Sequence, residues 1–316
     1  MNKILAGVLA TLLCSAAAAQ YPSKPIRLIV PFPPGGAAEL GARIYAQPLG
    51  QALGQPIIIE TKPGADGAIA ADATMKSAPD GYTLFYATNT AFSWTPAVHK
   101  NPPYDPIADF TPVSMIGQFG FFLFSHPSVP AKTLAELLAH IRANPGKLNY
   151  GSGNSTSMVA TAQLAIQEKL QVVHIPYRGD GPLSIDLLGG RVQFAIATPG
   201  AAAPQVKEGK LRALATLLPS RSPLLPDAPT MVESGLPPLA ITPWGGIFGP
   251  AKMPREIADR VSRELIAILK RPEVREAFQT LAFEPRGSTP EELAAFVKEQ
   301  GEVWRRTVRE IGIQPE

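Results

Sequence analysis

The chain has 316 residues, 29 basic against 26 acidic side chains and a formal net charge of +3, with 45% hydrophobic and 7% aromatic residues. That is enough chain for two ordinary lobes. A near-neutral charge spread without blocks excludes nucleic acid and an anionic membrane surface as partners.

The first residues read as an address. Lys3 precedes an apolar run over 4–13, and Ala17-Ala18-Ala19 forms a small-residue cleavage site before Gln20. The run is shorter than the ~20 apolar residues that span a bilayer. The expectation is a cleaved signal peptide over 1–19, export to the periplasm, and a mature chain that does not insert in the membrane. Cleavage would discard Cys14, the only cysteine, so no disulfide framework or thiol chemistry is expected.

The stretch Val30-Pro31-Phe32-Pro33-Pro34-Gly35-Gly36-Ala37-Ala38-Glu39 sets the pattern for the mature chain. Residues 26–30 are short and β-branched and predict a buried strand; 38–53 predict a helix. Two glycines allow a sharp turn and close backbone approach. The helix then aims its first free N–H groups and the positive end of its dipole at that spot, which suits an anion.

Strand and helix signals continue in alternation. Residues 56–60 predict a strand, Pro63-Gly64-Ala65-Asp66-Gly67 a second Gly-rich turn, 68–76 a helix, and 82–87 a strand ending in Thr88-Asn89-Thr90. Alternation favours a mostly parallel sheet, in which ligands sit beyond the C-terminal strand ends. By that rule 32–38, 63–67 and 88–90 share one rim, although 88–90 also reads as an ordinary loop.

Residues 123–127 predict a strand leaving this first lobe, and Thr133 with Glu136 forms a capping box opening a helix to about 143. Then Leu148-Asn149-Tyr150-Gly151-Ser152-Gly153-Asn154-Ser155-Thr156-Ser157 repeats the opening logic: strand, small hydroxyl-rich turn, and a helix from about Met158. One helix cap needs one side chain. Four hydroxyls and an amide here point to a ligand as well. Further strands are expected over 172–177, 192–198 and 210–215, with helices over 184–188 and 203–208. Residues 243–250 predict a return crossing, and helices over 255–269, 273–281 and 291–311 close the chain.

Catalytic and metal patterns are weak. Ser152 lies in Gly151-Ser152-Gly153 without a G-x-S-x-G elbow, and His99, His126, His140 and His174 have no motif spacing with it. No H-E-x-x-H, EF-hand loop, Walker A or dinucleotide fingerprint is present, so neither metal nor cofactor is expected.

The motif order is more specific. Val30-Pro31-Phe32-Pro33-Pro34-Gly35-Gly36, Pro63-Gly64-Ala65-Asp66-Gly67, Ala78-Pro79-Asp80-Gly81-Tyr82, Pro176-Tyr177-Arg178-Gly179 and Asp186-Leu187-Leu188-Gly189-Gly190 recur in order, with segments 104–106, 146–152, 209–215, 222–227 and 233–237. In these the chain resembles, essentially end to end, the extracytoplasmic solute receptors of tripartite tricarboxylate transporters, the Bug or TctC-like family.

The resemblance implies an α/β, two-lobed, Venus-flytrap binding protein. Its lobes would be 20–122 plus 243–316, and 123–242. It implies a monomeric receptor, not an enzyme, that holds a small carboxylate in the cleft and serves the membrane subunits of a tripartite transporter. A receptor feeding a two-component sensor is the alternative, and a hydrolase is further off. Carried over, the ligand-binding residues would be Phe32, Pro34, Gly35, Gly36, Ala37 and Asn89 from one side. Ser152, Asn154, Ser155, Thr156, Ser157, Tyr177 and Thr198 would come from the other. Arg43 reads as structural and Arg178 as a possible contact. Three departures from the family's pattern, Ala38-Glu39, Val159 and Ala197, imply a more apolar cleft, and the missing acid at 197 argues against an amino acid ligand. That favours a dicarboxylate with an aliphatic or aromatic body.

Overall fold

The structure, a computed structural model, describes residues 21–241 and 243–316, so the expected signal peptide lies outside the described residues. The first sheet begins with β1 (Ile26–Val30), β2 (Ile57–Thr61) and β3 (Thr83–Thr88), with β1 parallel to both of the others. Side chains alternate across β1, as the two-residue repeat of a strand requires. Ile26, Leu28 and Val30 join one core with Tyr45 and Leu49 of α1 (Ala37–Leu53), while Ile29 joins another with Ala70 and Ala71 of α2 (Ala68–Met75). Both faces of the sheet are therefore covered.

Three further strands complete this sheet: β4 (Phe110–Phe119), β10 (Trp244–Pro250) and β11 (Phe283–Pro285), in the order β11-β4-β10-β3-β1-β2. All three pair antiparallel, so the expectation of a mostly parallel sheet is corrected to a mixed one. The reason is topological: β4 carries the chain out to the second lobe, and β10 brings it back alongside. The ten-residue β4 has no clear strand signal in the sequence. Its Pro112 and Gly117 disfavour a regular strand, and its pairing with β10 is irregular in two places.

The second sheet has β5 (Phe122–Ser125), β6 (Asn149–Ser152), β7 (Val173–Pro176), β8 (Phe194–Ala197) and β9 (Arg212–Thr216), in the order β7-β6-β8-β5-β9. Its faces are covered by α4 (Leu134–Ala143) and α5 (Ser155–Gln167) on one side, and by α6 (Asp180–Leu188) and α7 (Ala202–Lys207) on the other. Two sheets, each between helical layers, make a two-lobed α/β molecule.

Backbone hydrogen bonds brace the crossovers on the first-lobe side, and an apolar seam joins the lobes. Phe119 N–H donates to Pro243 C=O (2.9 Å) and Gly120 N–H to Ala282 C=O (2.7 Å). After β3 the chain makes a π turn (Thr90–Trp94) and the short α3 (Thr95–Val98). These pack with α5 and the last of the closing helices α8 (Arg255–Ile268), α9 (Pro272–Gln279) and α10 (Pro290–Glu310). Ala97, Val159, Ile241, Trp304 and Val308 form a buried cluster that joins α3 and α10 to the second-lobe helix α5.

Candidate functional site

Parallel strands deliver their following loops to one edge, and the three first-lobe loops do meet. A Cβ placed on Gly67 would lie 2.8 Å from Ala91 Cβ and 3.3 Å from Pro31 Cβ, so the turns after β1 and β2 touch the π turn after β3. π turns leave the regular hydrogen-bond ladder and recur at functional sites. Phe32 is half-buried against the core, Pro34 and Gly35 are exposed, and Gly36 is the N-cap residue of α1. Gly36 has no side chain with which to cap. The amides of Ala37, Ala38 and Glu39 consequently have no acceptor among the described residues.

Glu39 changes this turn. Only 2% of it is exposed; its carboxylate accepts from Gly35 N–H (3.1 Å) and pairs with Arg43. One glycine amide is thus already engaged, and Arg43 is paired with a carboxylate of its own helix.

In the second lobe α5 starts at Ser155, not near Met158, so the hydroxyl cluster is the helix tip itself. Asn154 Oδ1 accepts from Ser157 N–H (2.9 Å), while Asn154 N–H donates to Ser157 Oγ (3.3 Å). This reciprocal box engages the amides of the cap and of the third helical residue. The Ser155 and Thr156 amides remain without an acceptor among the described residues, and Ser155 Oγ is buried with no hydrogen-bond partner. The other candidates are engaged. Tyr177 O–H donates to Asp186 (2.8 Å), and burial together with that donation pushes its pKa up to about 12. Its backbone N–H donates to Ser152 C=O (2.9 Å) and its ring packs on the second-lobe core.

Two pairings escaped the sequence. Ser152 Oγ lies 2.7 Å from His174 Nε2, contrary to the expectation that no histidine is tied to Ser152. Parallel pairing of β6 and β7 sets His174 opposite Tyr150, on whose ring it stacks, and within reach of Ser152 two residues on. Burial holds the imidazole pKa below its ordinary value, and no carboxylate among the described residues holds Nδ1. Asp180 is the second. Its Oδ2 accepts from Thr198 N–H (3.2 Å) and Thr198 Oγ1 (2.5 Å), and its Oδ1 accepts from Asn154 Nδ2 (3.3 Å). Burial raises its pKa against the lowering effect of those bonds. Ala197 supplies no acid, as the sequence shows, but Asp180 reaches the adjoining Thr198 from α6. Its only sequence signal was an acid following Arg178-Gly179.

Asn89 connects the two rims. Its Nδ2 donates to Thr156 Oγ1 (2.7 Å) and its Oδ1 accepts from Trp244 N–H (3.3 Å), both buried. A side chain at the end of β3 thus reaches the tip of α5 in the other lobe. Thr88, Asn89 and Thr90 are all buried, so 88–90 is not an exposed surface loop.

Two α/β lobes joined by two strand crossovers, with a helix tip of one bonded to the other, are the architecture of the solved periplasmic binding proteins that the chain resembles. The chain belongs to the TctC family, described as tripartite tricarboxylate transporter family receptor, whose profile matches residues 42–313. BugT of Bordetella pertussis is 35% identical over 299 residues, covering 92% of this chain and 90% of that protein. The solved structure of Rpa4515 of R. palustris with adipate is 30% identical, covers 94% of this chain and 100% of that one, and superposes with a TM-score of 0.83. MatC from Rhodopseudomonas palustris with bound malate is 29% identical, covers 91% and 100%, and gives 0.75.

Proposed function

We propose that this chain captures a small dicarboxylate, with an aliphatic or aromatic body, between lobes 20–122 plus 243–316 and 123–242. As an exported, monomeric periplasmic receptor it would deliver that ligand to the membrane subunits of a tripartite tricarboxylate transporter. The observation that carries the reading is the tip of α5, where two unpaired amides and the buried Ser155 Oγ stand next to the inter-lobe contact of Asn89. In this reading the donors are Ser155, Thr156 and the tip of α1 behind Gly36 and Ala37. Phe32, Pro34 and the Tyr177 ring form walls. Gly35, Ser152, Asn154, Ser157 and Thr198 hold the turns in shape.

A helix N-terminus contributes ~0.3–2 kcal/mol toward an anion, and each hydrogen bond to a charged group ~1.5–3 kcal/mol. A few such terms, offset by the entropy of closure, reach the ~8 kcal/mol of a micromolar complex. Adipate in one relative and malate in another fit the chemistry of such a site. The Ser152–His174 pair does not favour a hydrolase, because a general base needs a third group to orient it.

The test is a thermal-shift screen of carboxylic acids on the mature chain. A ligand at 100 times its Kd should stabilise the fold by ~2.7 kcal/mol. Adipate, terephthalate or a similar diacid is expected to raise Tm by several degrees. A screen in which no diacid shifts Tm, or citrate leads by a wide margin, would overturn the reading.

A further inference from the structure

Asp180 begins α6, yet its carboxylate leaves that helix and sits between two other loops. It accepts from the backbone and hydroxyl of Thr198, beyond β8, and from the side-chain amide of Asn154, beyond β6. Its own carbonyl accepts from Ser184 Oγ (2.7 Å), which fixes the residue at its base. Gly153 is matched to it. A Cβ there would stand 2.2 Å from Asp180 Oδ1 and 2.7 Å from Asp180 N, so the carboxylate approaches only because position 153 carries no side chain.

The consequence falls on Asn154. Its side-chain oxygen caps α5 through Ser157 N–H, and its nitrogen faces Asp180. Rotating that amide by half a turn would set nitrogen against N–H at the helix and oxygen against oxygen at Asp180. An ionised carboxylate only accepts hydrogen bonds, so it permits one of the two orientations. We propose that Asp180 is a positioning residue of the carboxylate site, locking the Asn154 amide in its capping orientation and thereby holding the α5 tip open toward ligand. This rests on the reading of that tip as the anion site. It assigns to Asp180 the geometry of the tip, with no requirement that Asp180 touch the ligand.

The experiment compares wild type, Asp180→Asn, Thr198→Val and the double swap Asn154→Asp, Asp180→Asn. Residue-resolved amide exchange is measured on the ligand-free proteins, and calorimetric titration uses adipate and malate. Asp180→Asn lets Asn154 rotate, so Ser157 N–H should exchange about fivefold faster or more while amides within β8 keep their protection. The diacid bound by wild type should weaken by a similar factor. Thr198→Val, which leaves the carboxylate in place but less firmly held, should show a smaller effect of the same sign. The double swap should restore both, because a carboxylate at position 154 caps in either orientation. Unchanged Ser157 exchange in a folded Asp180→Asn protein overturns the proposal, as does a double swap no better than the single variant. Wild type that binds neither adipate nor malate overturns the carboxylate reading instead, and the exchange data still decide the role of Asp180.

Discussion

Ser155 is the residue on which the proposed binding most depends. Among the second-lobe candidates its hydroxyl alone is both buried and without a protein partner. Replacing it by alanine should cost ~1.5–3 kcal/mol of diacid affinity, roughly 10- to 150-fold in Kd, because a bond to a charged group is lost. Tm of the ligand-free protein should stay nearly constant, since no internal bond is broken. Calorimetry and thermal melts on the same preparation check both halves. Asn89 and Thr156 should behave differently, because their bond joins the lobes. A double-mutant cycle of Asn89→Ala and Thr156→Val should return a coupling of about 1 kcal/mol in thermal or chemical unfolding. Additive effects would show that the pair contributes nothing to stability. At this scale the sequence displayed the donors and concealed their commitments. Hydroxyls at 152, 155, 156 and 157 are visible as a cluster. That Ser152 faces His174, Thr198 faces Asp180 and Thr156 faces Asn89 depends on pairings 22, 18 and 67 residues apart, which no local pattern encodes.

At the scale of elements, the parallel core of the first sheet was legible because β1, β2 and β3 carry the strongest β-branched and aromatic signals, each followed by turn chemistry. β4 was not, because its fold-specific features are the ones that spoil a strand pattern. Gly117 has φ +151°, and a Cβ there would fall 2.1 Å from Glu284 C=O on β11. Gly117→Ala should therefore destabilise the protein by about 2 kcal/mol or more, read as a drop in the denaturant midpoint. The sequence pattern points to a start of α5 a turn late, because a serine–threonine run reads as turn before it reads as helix, and only its capping box reveals the true start. The strand pair β6–β7 carries a pH signature. The half-buried His174 holds its proton less tightly than an unfolded histidine, whose pKa is ~6.5. The unfolded chain thus binds more protons in that window, so the contribution of His174 is complete above pH ~6.5 and declines as pH falls toward the lower folded value. Stability measured by urea unfolding at pH 7.5 and pH 5.5 should show this loss, and His174→Gln should shrink the difference between the two.

Across the whole molecule, the two lobes were legible from repetition: the sequence runs strand, small-residue turn and helix tip twice, and the two tips fall in different sheets. How the lobes meet was not legible. The apolar seam that sets Val159 of α5 against Trp304 and Val308 of α10 joins segments about 145 residues apart and arises from the return of the C-terminal helices to the first lobe. It docks the turn of α5 that follows the candidate anion site on the opposite lobe. In the proposed reading, ligand capture and lobe contact would both be properties of one helix. Among the described residues no helix is long and apolar enough to cross a membrane. The most direct measurement is a crystal structure of the mature chain with adipate or the best diacid from the screen. A carboxylate within hydrogen-bond distance of Ser155 Oγ and the Ser155 and Thr156 amides, bounded across the cleft by the turn at 35–38, is the predicted result. A diacid bound elsewhere, with the α5 tip making no contact to it, would contradict the account.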